Sequence, residues 1–197
     1  DLVNIAFANE LSLIADGLGV NVWDVINLAN MHPRVNILNP GVGVGGHCIA
    51  VDPWFLVASD PSASRLIRTA RSVNDAKPRW VVSKIEEAIA VNECEKVLLL
   101  GLTFKPNIDD VRSSPALAIA TNLAKRNPEI TFEIIEPNLR SLPKGLEFPN
   151  VKLSRVADTK TERKLVCKLV AHREFAEYSG NQKCGIQLLD FTETASS

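Results

Sequence analysis

The amino-acid sequence predicts an α/β protein in which a helical region precedes a Rossmann-like parallel sheet. Apolar residues in 1–92 recur at three- and four-residue spacings, which is typical of amphipathic helices. After residue 92, short and continuously apolar runs alternate with helical stretches, as in a parallel sheet with helical crossovers. We therefore expect a helical domain at 1–92 and an α/β domain at 93–197.

Two helices are predicted at the start of the chain. The first starts at Asp1 and ends at Gly17 or Gly19, because glycine is common at a helix C-cap. The second covers 22–30, and Asn21 precedes it as an N-cap. The pattern is already helical at the first residue, so we expect the chain to be a piece of something longer.

A long helical stretch completes the first region. Apolar residues at 53–57 predict a helix start or a short anchor, and either Ser62 or Ser64 opens the long stretch. The stretch continues to about residue 90, and Pro78 within it is expected to kink or interrupt the helix.

The second region contains five predicted strands, at 96–101, 131–135, 151–153, 165–170 and 185–190. A helix from Pro115 to about Lys125, capped by Ser113 or Ser114, follows the first strand. Residues 137–149 are predicted to form a loop and 158–164 a charged turn. Ligands bind at the carboxyl ends of strands in such sheets, which makes the loop after the first strand a candidate site.

Composition excludes several classes of function. The chain has 197 residues, 46% of them hydrophobic, and a net charge of −1, so no global field favours nucleic acid or an anionic membrane. No apolar run is long enough to span a bilayer, and no signal peptide is visible. The four cysteines form no CxxC pair, so we expect no structural metal and predict free thiols in a reducing cytoplasm.

The segment 41–53 contains a cysteine, Cys48, at the end of a glycine-rich run, with Asp52 four residues later. Glycines let a backbone approach a ligand closely, and a thiol held there can attack an electrophilic carbon such as an aldehyde. A single cysteine is also often a small buried apolar residue. The spacing alone leaves both interpretations open.

The same loop does not fit a dinucleotide fingerprint. That fingerprint leaves a strand directly and opens a helix. Here the preceding residues 36–39 are short and polar, and Pro40 lacks the N–H that a sheet ladder needs. We therefore reject a nicotinamide site at this loop.

The loop after the first predicted strand, 102–115, contains Lys105, Arg112 and two aspartates. Lysine and arginine at this edge of a sheet can bind phosphate or carboxylate. Two bases beside two acids also describe a solvated loop that neutralises itself. The residues alone do not decide between these interpretations.

Together the two loops resemble the UDP-glucose/GDP-mannose dehydrogenase family. The residues that match are Gly-Val-Gly-Gly-His-Cys-Ile-Ala-Val-Asp at 43–52 and Gly-Leu-Thr-Phe-Lys-Pro-Asn-Ile-Asp-Asp-Val-Arg-Ser-Ser-Pro at 101–115. Residues 4–11 are similar to the start of the family's central helical domain. His47 beside the cysteine fits the branch that oxidises UDP-N-acetyl-mannosamine, as do 32–34 and 49–54.

The resemblance implies a four-electron oxidation of a primary alcohol to a carboxylate with two NAD⁺. Cys48 would be the nucleophile that captures the aldehyde, and Asp52 would assist the water or proton steps. The apolar faces of the first two predicted helices are large for so short a segment, so we expect a homodimer formed through the helical domain. The resemblance implies that His32 and Arg34 contact the nucleotide-sugar in this subunit's site or in that of a neighbouring subunit.

The remaining site residues are likewise carried over by resemblance. Those implied to contact the UDP-sugar are His32, Arg34, Gly45, Phe104 and Lys105. Arg112 is implied to reach NAD, and the α/β domain is implied to bind UDP.

The family's NAD-binding domain and a lysine–asparagine pair of its first central helix would lie upstream of Asp1. We therefore expect this chain to be the central and C-terminal part of the enzyme, inactive alone. A non-catalytic module for dimerisation or UDP-sugar binding remains an alternative. So does a 6-dehydrogenase acting on UDP-glucose or another UDP-sugar.

Overall fold

The computed structural model describes residues 1–154, 165–178 and 187–192, and four helices form the first half. They are α1 (Leu2–Leu18), α2 (Val22–Asn30), α3 (Asp52–Ser59) and α4 (Arg65–Val91). The predicted order of helices is therefore confirmed. No helix among the described residues has the length and apolar character needed to cross a membrane.

The ends of the first two helices follow from their capping residues. Gly19 ends α1 at φ 67°, and its N–H and that of Val20 donate to carbonyls of the last helical turn. Asn21 caps α2 by accepting a hydrogen bond from the Trp23 N–H at 2.8 Å. The prediction from glycine and asparagine is confirmed at both ends.

Helix α4 corrects one expectation. Pro78 lies inside a helix of 27 residues and does not interrupt it. Helix α4 packs against α1 and α3 and also against a helix of the second region. This tertiary packing outweighs the hydrogen bond that a proline removes.

The second half of the chain is a five-stranded parallel sheet in the order β3-β2-β1-β4-β5. Its elements are β1 (Lys96–Leu100), α5 (Pro115–Arg126), β2 (Thr131–Ile135), β3 (Val151–Ser154), β4 (Leu165–Lys168), a 3₁₀ helix (Arg173–Tyr178) and β5 (Gln187–Asp190). The strand order reverses between β1 and β4, which is the usual ligand crevice of such a sheet.

The strand side chains alternate between two apolar clusters. Val97 and Leu99 of β1 pack with residues of α4 and α5, whereas Leu98 and Leu100 pack with Phe175 on the opposite face. All four β1 side chains are at most 1% exposed. A strand buried on both faces has to be continuously apolar, which explains why the pattern predicted it.

The irregular segment 31–51 is held by asparagine side chains. The Asn30 amide exchanges two hydrogen bonds with the backbone of Ile37, at 2.7 and 2.9 Å. The Asn4 amide bonds the backbone groups on either side of Ile37, and Asn9 Oδ1 accepts the Gly41 N–H at 3.0 Å. These amides satisfy backbone groups that have no sheet or helix partner.

Three predictions lie outside the described residues. They are the charged turn at 158–164, the first two residues of the strand predicted at 185–190, and the free thiol predicted for Cys184.

Candidate active site

Cys48 lies in the turn that leads into α3. Its carbonyl accepts hydrogen bonds from the backbone N–H groups of Val51, at 3.1 Å, and Asp52, at 2.8 Å. Asp52 is the first residue of the helix, where a carboxylate is favoured by the helix dipole. The Cys48 side chain is exposed, and both residues line one cavity of about 330 Å³. The predicted pair is therefore brought to a single open site.

The other described cysteines lie in the core. Cys94 is 3% exposed and Cys167 is 0% exposed. Burial raises the pKa of the Cys167 thiol well above its ordinary range, and the nearby Cys94 adds to the effect. A thiol attacks as a thiolate. Among the described residues, Cys48 is therefore the one cysteine whose exposure suits it to reaction.

Glycines of the Cys48 loop meet the loop after β1 at very short range. A Cβ placed on Gly45 would lie 2.5 Å from the Ser113 carbonyl oxygen and 2.9 Å from the Phe104 Cβ. Gly46, at φ 88°, lies against the Phe104 ring. The two loops that the sequence singled out are therefore packed against one another, and only glycine permits this approach at 45.

A polar contact joins the same two loops. The Arg112 guanidinium forms hydrogen bonds to both carboxylate oxygens of Asp110, the shortest at 2.7 Å. Arg112 Nη2 also lies 3.2 Å from His47 Nε2. Hydrogen bonds from Arg112 lower the pKa of the Asp110 carboxyl to about 2. At neutral pH the Asp110–Arg112 pair is ionised, and its guanidinium contacts His47, the residue before Cys48.

The backbone at Lys105 and Asn107 is held by a buried polar network. Glu136 directly follows β2, and His172 lies four residues after the end of β4. Both are fully buried, and His172 Nε2 lies 3.0 Å from Glu136 Oε2. Burial raises the pKa of the Glu136 carboxyl, but hydrogen bonds from His172 and two backbone N–H groups outweigh it and lower the pKa. Thr103 Oγ1 lies 3.2 Å from the same imidazole and donates to the Lys105 carbonyl at 2.8 Å.

The sequence analysis did not assign this network a role. Its signal was one glutamate directly after the strand predicted at 131–135 and one histidine two residues after the strand predicted at 165–170. The network fixes the backbone of 103–107, while the Lys105 side chain stays exposed.

His32 and Arg34 are placed elsewhere, on the exposed turn after α2. The Arg34 N–H donates to His32 Nδ1 at 3.3 Å. Their contact with a nucleotide-sugar, in this subunit or a neighbouring one, stays a prediction.

The turn after β1 does not fit a dinucleotide fingerprint. The turn after β1, 101–106, contains one glycine instead of the three of a dinucleotide fingerprint. A Cβ on that residue, Gly101, would lie 2.4 Å from the Val170 Cβ, so the glycine serves packing. Arg112 is exposed and can reach an anionic group from outside. The turn after β1 therefore does not provide a dinucleotide-binding site of that type.

The site therefore combines an exposed thiol on a glycine loop with a Rossmann-like domain that packs against this loop and carries an exposed lysine. A protein of this class has a candidate site for covalent chemistry on an anionic ligand. Two family models match the chain. The UDP-glucose/GDP-mannose dehydrogenase family central domain matches residues 2–76, and the family's UDP binding domain matches 98–186. The chain belongs to the UDP-glucose/GDP-mannose dehydrogenase family.

Relatives and solved structures agree with this assignment. The UDP-N-acetyl-D-mannosamine dehydrogenase of Campylobacter jejuni is 51% identical over 181 residues, which covers 91% of this chain and 44% of the relative. The NDP-N-acetyl-D-galactosaminuronic acid dehydrogenase of Ralstonia solanacearum is 50% identical over 173 residues, 88% of this chain and 40% of the relative. The chain spans less than half the length of these relatives.

Among solved structures, the UDP-N-acetyl-mannosamine dehydrogenase of S. aureus is 35% identical with a TM-score of 0.75, covering 96% of this chain and 48% of that one. The UDP-glucose dehydrogenase of Pyrobaculum islandicum is 26% identical with a TM-score of 0.78, covering 98% and 45%. The order of a helical region and a Rossmann-like domain is therefore shared with known enzymes.

The Gly45 contact leads to a stability prediction. We expect Gly45→Ala to lower the free energy of unfolding by about 1–3 kcal/mol, because the added methyl group overlaps backbone that cannot move cheaply. Gly41→Ala is the matched control: a Cβ there meets nothing within 4 Å. Its effect should stay within about 0.5 kcal/mol. Urea denaturation measures both, and equal midpoints for the two variants would contradict the prediction.

Proposed function

We propose that the whole protein oxidises the C6 alcohol of a UDP-N-acetyl-hexosamine, UDP-N-acetyl-mannosamine, to the uronic acid. This chain supplies the thiol and the UDP-binding part of the enzyme. The observation that carries the proposal is the exposed Cys48 beside Asp52, on a loop packed against Phe104 and Ser113. The segment 101–115 that contains these two residues also carries the exposed cations Lys105 and Arg112.

The chemistry assigned to the chain is covalent capture of the aldehyde. The Cys48 thiolate adds to the aldehyde carbon and gives a thiohemiacetal, whose oxidation leaves a thioester. Water then cleaves the thioester, releases the carboxylate and restores the thiol, with Asp52 positioned to take or give a proton. NAD⁺, when bound by the whole enzyme, accepts the hydrides.

Binding of the nucleotide is assigned to the loop after β1. Lys105 is exposed and forms no ion pair with any described residue, so its ammonium group is available to a diphosphate. Phe104 packs against Gly45 and Gly46 of the glycine loop, and Gly45 presents backbone to the substrate. Arg112, exposed beside His47, is proposed to face NAD.

The choice of sugar is supported by the relatives. The names of the two relatives at about 50% identity differ in the hexose but share the N-acetyl group. UDP-N-acetyl-mannosamine is therefore proposed first. The isolated chain is proposed to be inactive, because its turn at 101–106 lacks the dinucleotide fingerprint.

Product analysis of the full-length enzyme tests the role of the thiol. We expect Cys48→Ser to abolish uronate formation from UDP-N-acetyl-mannosamine, since a serine hydroxyl is a far weaker nucleophile at neutral pH. The matched control is Cys94→Ala, which should lower stability and retain uronate formation. A normal uronate yield from Cys48→Ser would rule out the covalent mechanism.

Calorimetry with UDP tests the nucleotide site on this chain. We expect Lys105→Ala to weaken binding by roughly 1.5–3 kcal/mol, because a charge-assisted contact to phosphate is lost. The control is Lys125→Ala at the exposed end of α5, which should bind as the wild type does. Equal affinity of the Lys105→Ala variant and wild type would remove Lys105 from the site.

A homodimer through the helical domain is also proposed. Val3, Phe7, Ile14 and Leu18 lie on one face of α1, and each is at least 41% exposed. Their spacing places them in one stripe, and such a stripe is commonly covered by a partner.

Sedimentation velocity at micromolar concentration tests the dimer. We expect Phe7→Lys to shift the wild-type dimer towards monomer, because a charge would be buried without a partner. Asn122→Lys on the exposed face of α5 is the control and should leave the dimer intact. A strictly monomeric wild type would contradict the proposal.

A further inference from the structure

Arg71 is an arginine buried beneath the Cys48 loop. It lies on α4, is 3% exposed, and donates from Nη1 to the Ile49 carbonyl oxygen at 3.4 Å. Its Nη2 forms an ion pair with the Asp75 carboxylate one helical turn later. Its Nε is buried and has no hydrogen-bond partner among the described residues.

Packing alone does not account for this side chain. A buried guanidinium loses its hydration, and a donor left unpaired adds to that cost. Ile67, on the same face one turn earlier, is apolar and lines the cavity that contains Cys48. An apolar residue at 71 would fill the same space without burying a charge. We therefore look for the role of Arg71 in the hydrogen bonds of its guanidinium group.

The Arg71 guanidinium contacts the backbone of the residue that follows Cys48. The Cys48 carbonyl is fixed by the first N–H groups of α3, and the Ile49 carbonyl is fixed by Arg71. The two peptide units that follow Cys48 are therefore both oriented, one by α3 and the other by α4. The course of the backbone between Cys48 and Asp52 therefore depends on these two carbonyl contacts.

We propose that Arg71 is a positioning residue that sets the orientation of the Cys48 thiol for its attack on the aldehyde. The proposal rests on the proposed function and deepens it. Arg71 suits this role because a planar guanidinium contacts the carbonyl and the Asp75 carboxylate at the same time, in fixed directions. A lysine would offer one ammonium point to the two acceptors, so it would support the loop only in part.

Loss of the Arg71 contact should impair the second oxidation, from aldehyde to acid, and not the first. Oxidation of the alcohol to the aldehyde does not need the thiol, whereas oxidation of the aldehyde begins with attack by Cys48. A misplaced thiol therefore lets aldehyde escape. Simple loss of folded enzyme would instead lower both oxidations by the same factor.

The experiment uses the full-length enzyme with UDP-N-acetyl-mannosamine, NAD⁺ and semicarbazide, which traps free aldehyde. We expect Arg71→Met to lower uronate formation by about 10- to 100-fold, the scale for a small misplacement of a reacting group. Trapped aldehyde should become the main product. Arg71→Lys should fall between this variant and the wild type. Arg79→Met, an exposed arginine of the same helix, should match the wild type.

Asp75→Asn keeps the test decisive if Arg71→Met does not fold. This variant weakens the anchor of the guanidinium, and we expect the same shift towards aldehyde on a smaller scale. An unchanged ratio of aldehyde to uronate in the folded variants would overturn the role of Arg71. A wild-type enzyme that makes no uronate would overturn the proposed function itself, which is a different result.

Discussion

The arrangement of the candidate site depends on one close approach, between Gly45 and the backbone at Ser113. A Cβ on residue 45 would lie 2.5 Å from the Ser113 carbonyl oxygen, which is too close for any side chain. Only glycine therefore allows the two loops to pack in this way. Cys48 follows three residues later, so the position of the thiol relative to Phe104 and Lys105 follows from this contact. The glycine loop therefore forms a close packing contact between the helical region and the α/β region.

Helix α4 also connects the two regions. One continuous helix packs against α1 and α3 on the helical side and against α5 on the sheet side. Its buried face includes polar side chains: Arg71 contacts the Cys48 loop, and Asn74 Oδ1 accepts from the Asn9 amide at 2.9 Å. Asn9 in turn holds Gly41. Buried polar groups that are paired in this way fix one arrangement of a loop that has no ladder of its own.

The charges around the site are divided between structure and ligand. Arg112 is engaged by Asp110, so a phosphate that needs this guanidinium must compete with a carboxylate. Lys105 is exposed and meets no such competitor among the described residues. The two interpretations of the loop at 102–115 therefore apply to different residues: self-neutralisation describes Arg112, and availability to an anion describes Lys105.

The sequence by itself determined the elements and the two loops that matter. Capping residues such as Gly19 and Asn21 act within a few positions of the backbone they bind, and a strand buried on both faces must be apolar, so these features are local. The continuous course of α4 through Pro78, the Glu136–His172 pair and the placement of Arg71 under Cys48 were decided by the tertiary structure. Each depends on contacts between residues far apart in the chain, and a buried charged or polar residue on a helix carries no sequence signal of the partner it will meet.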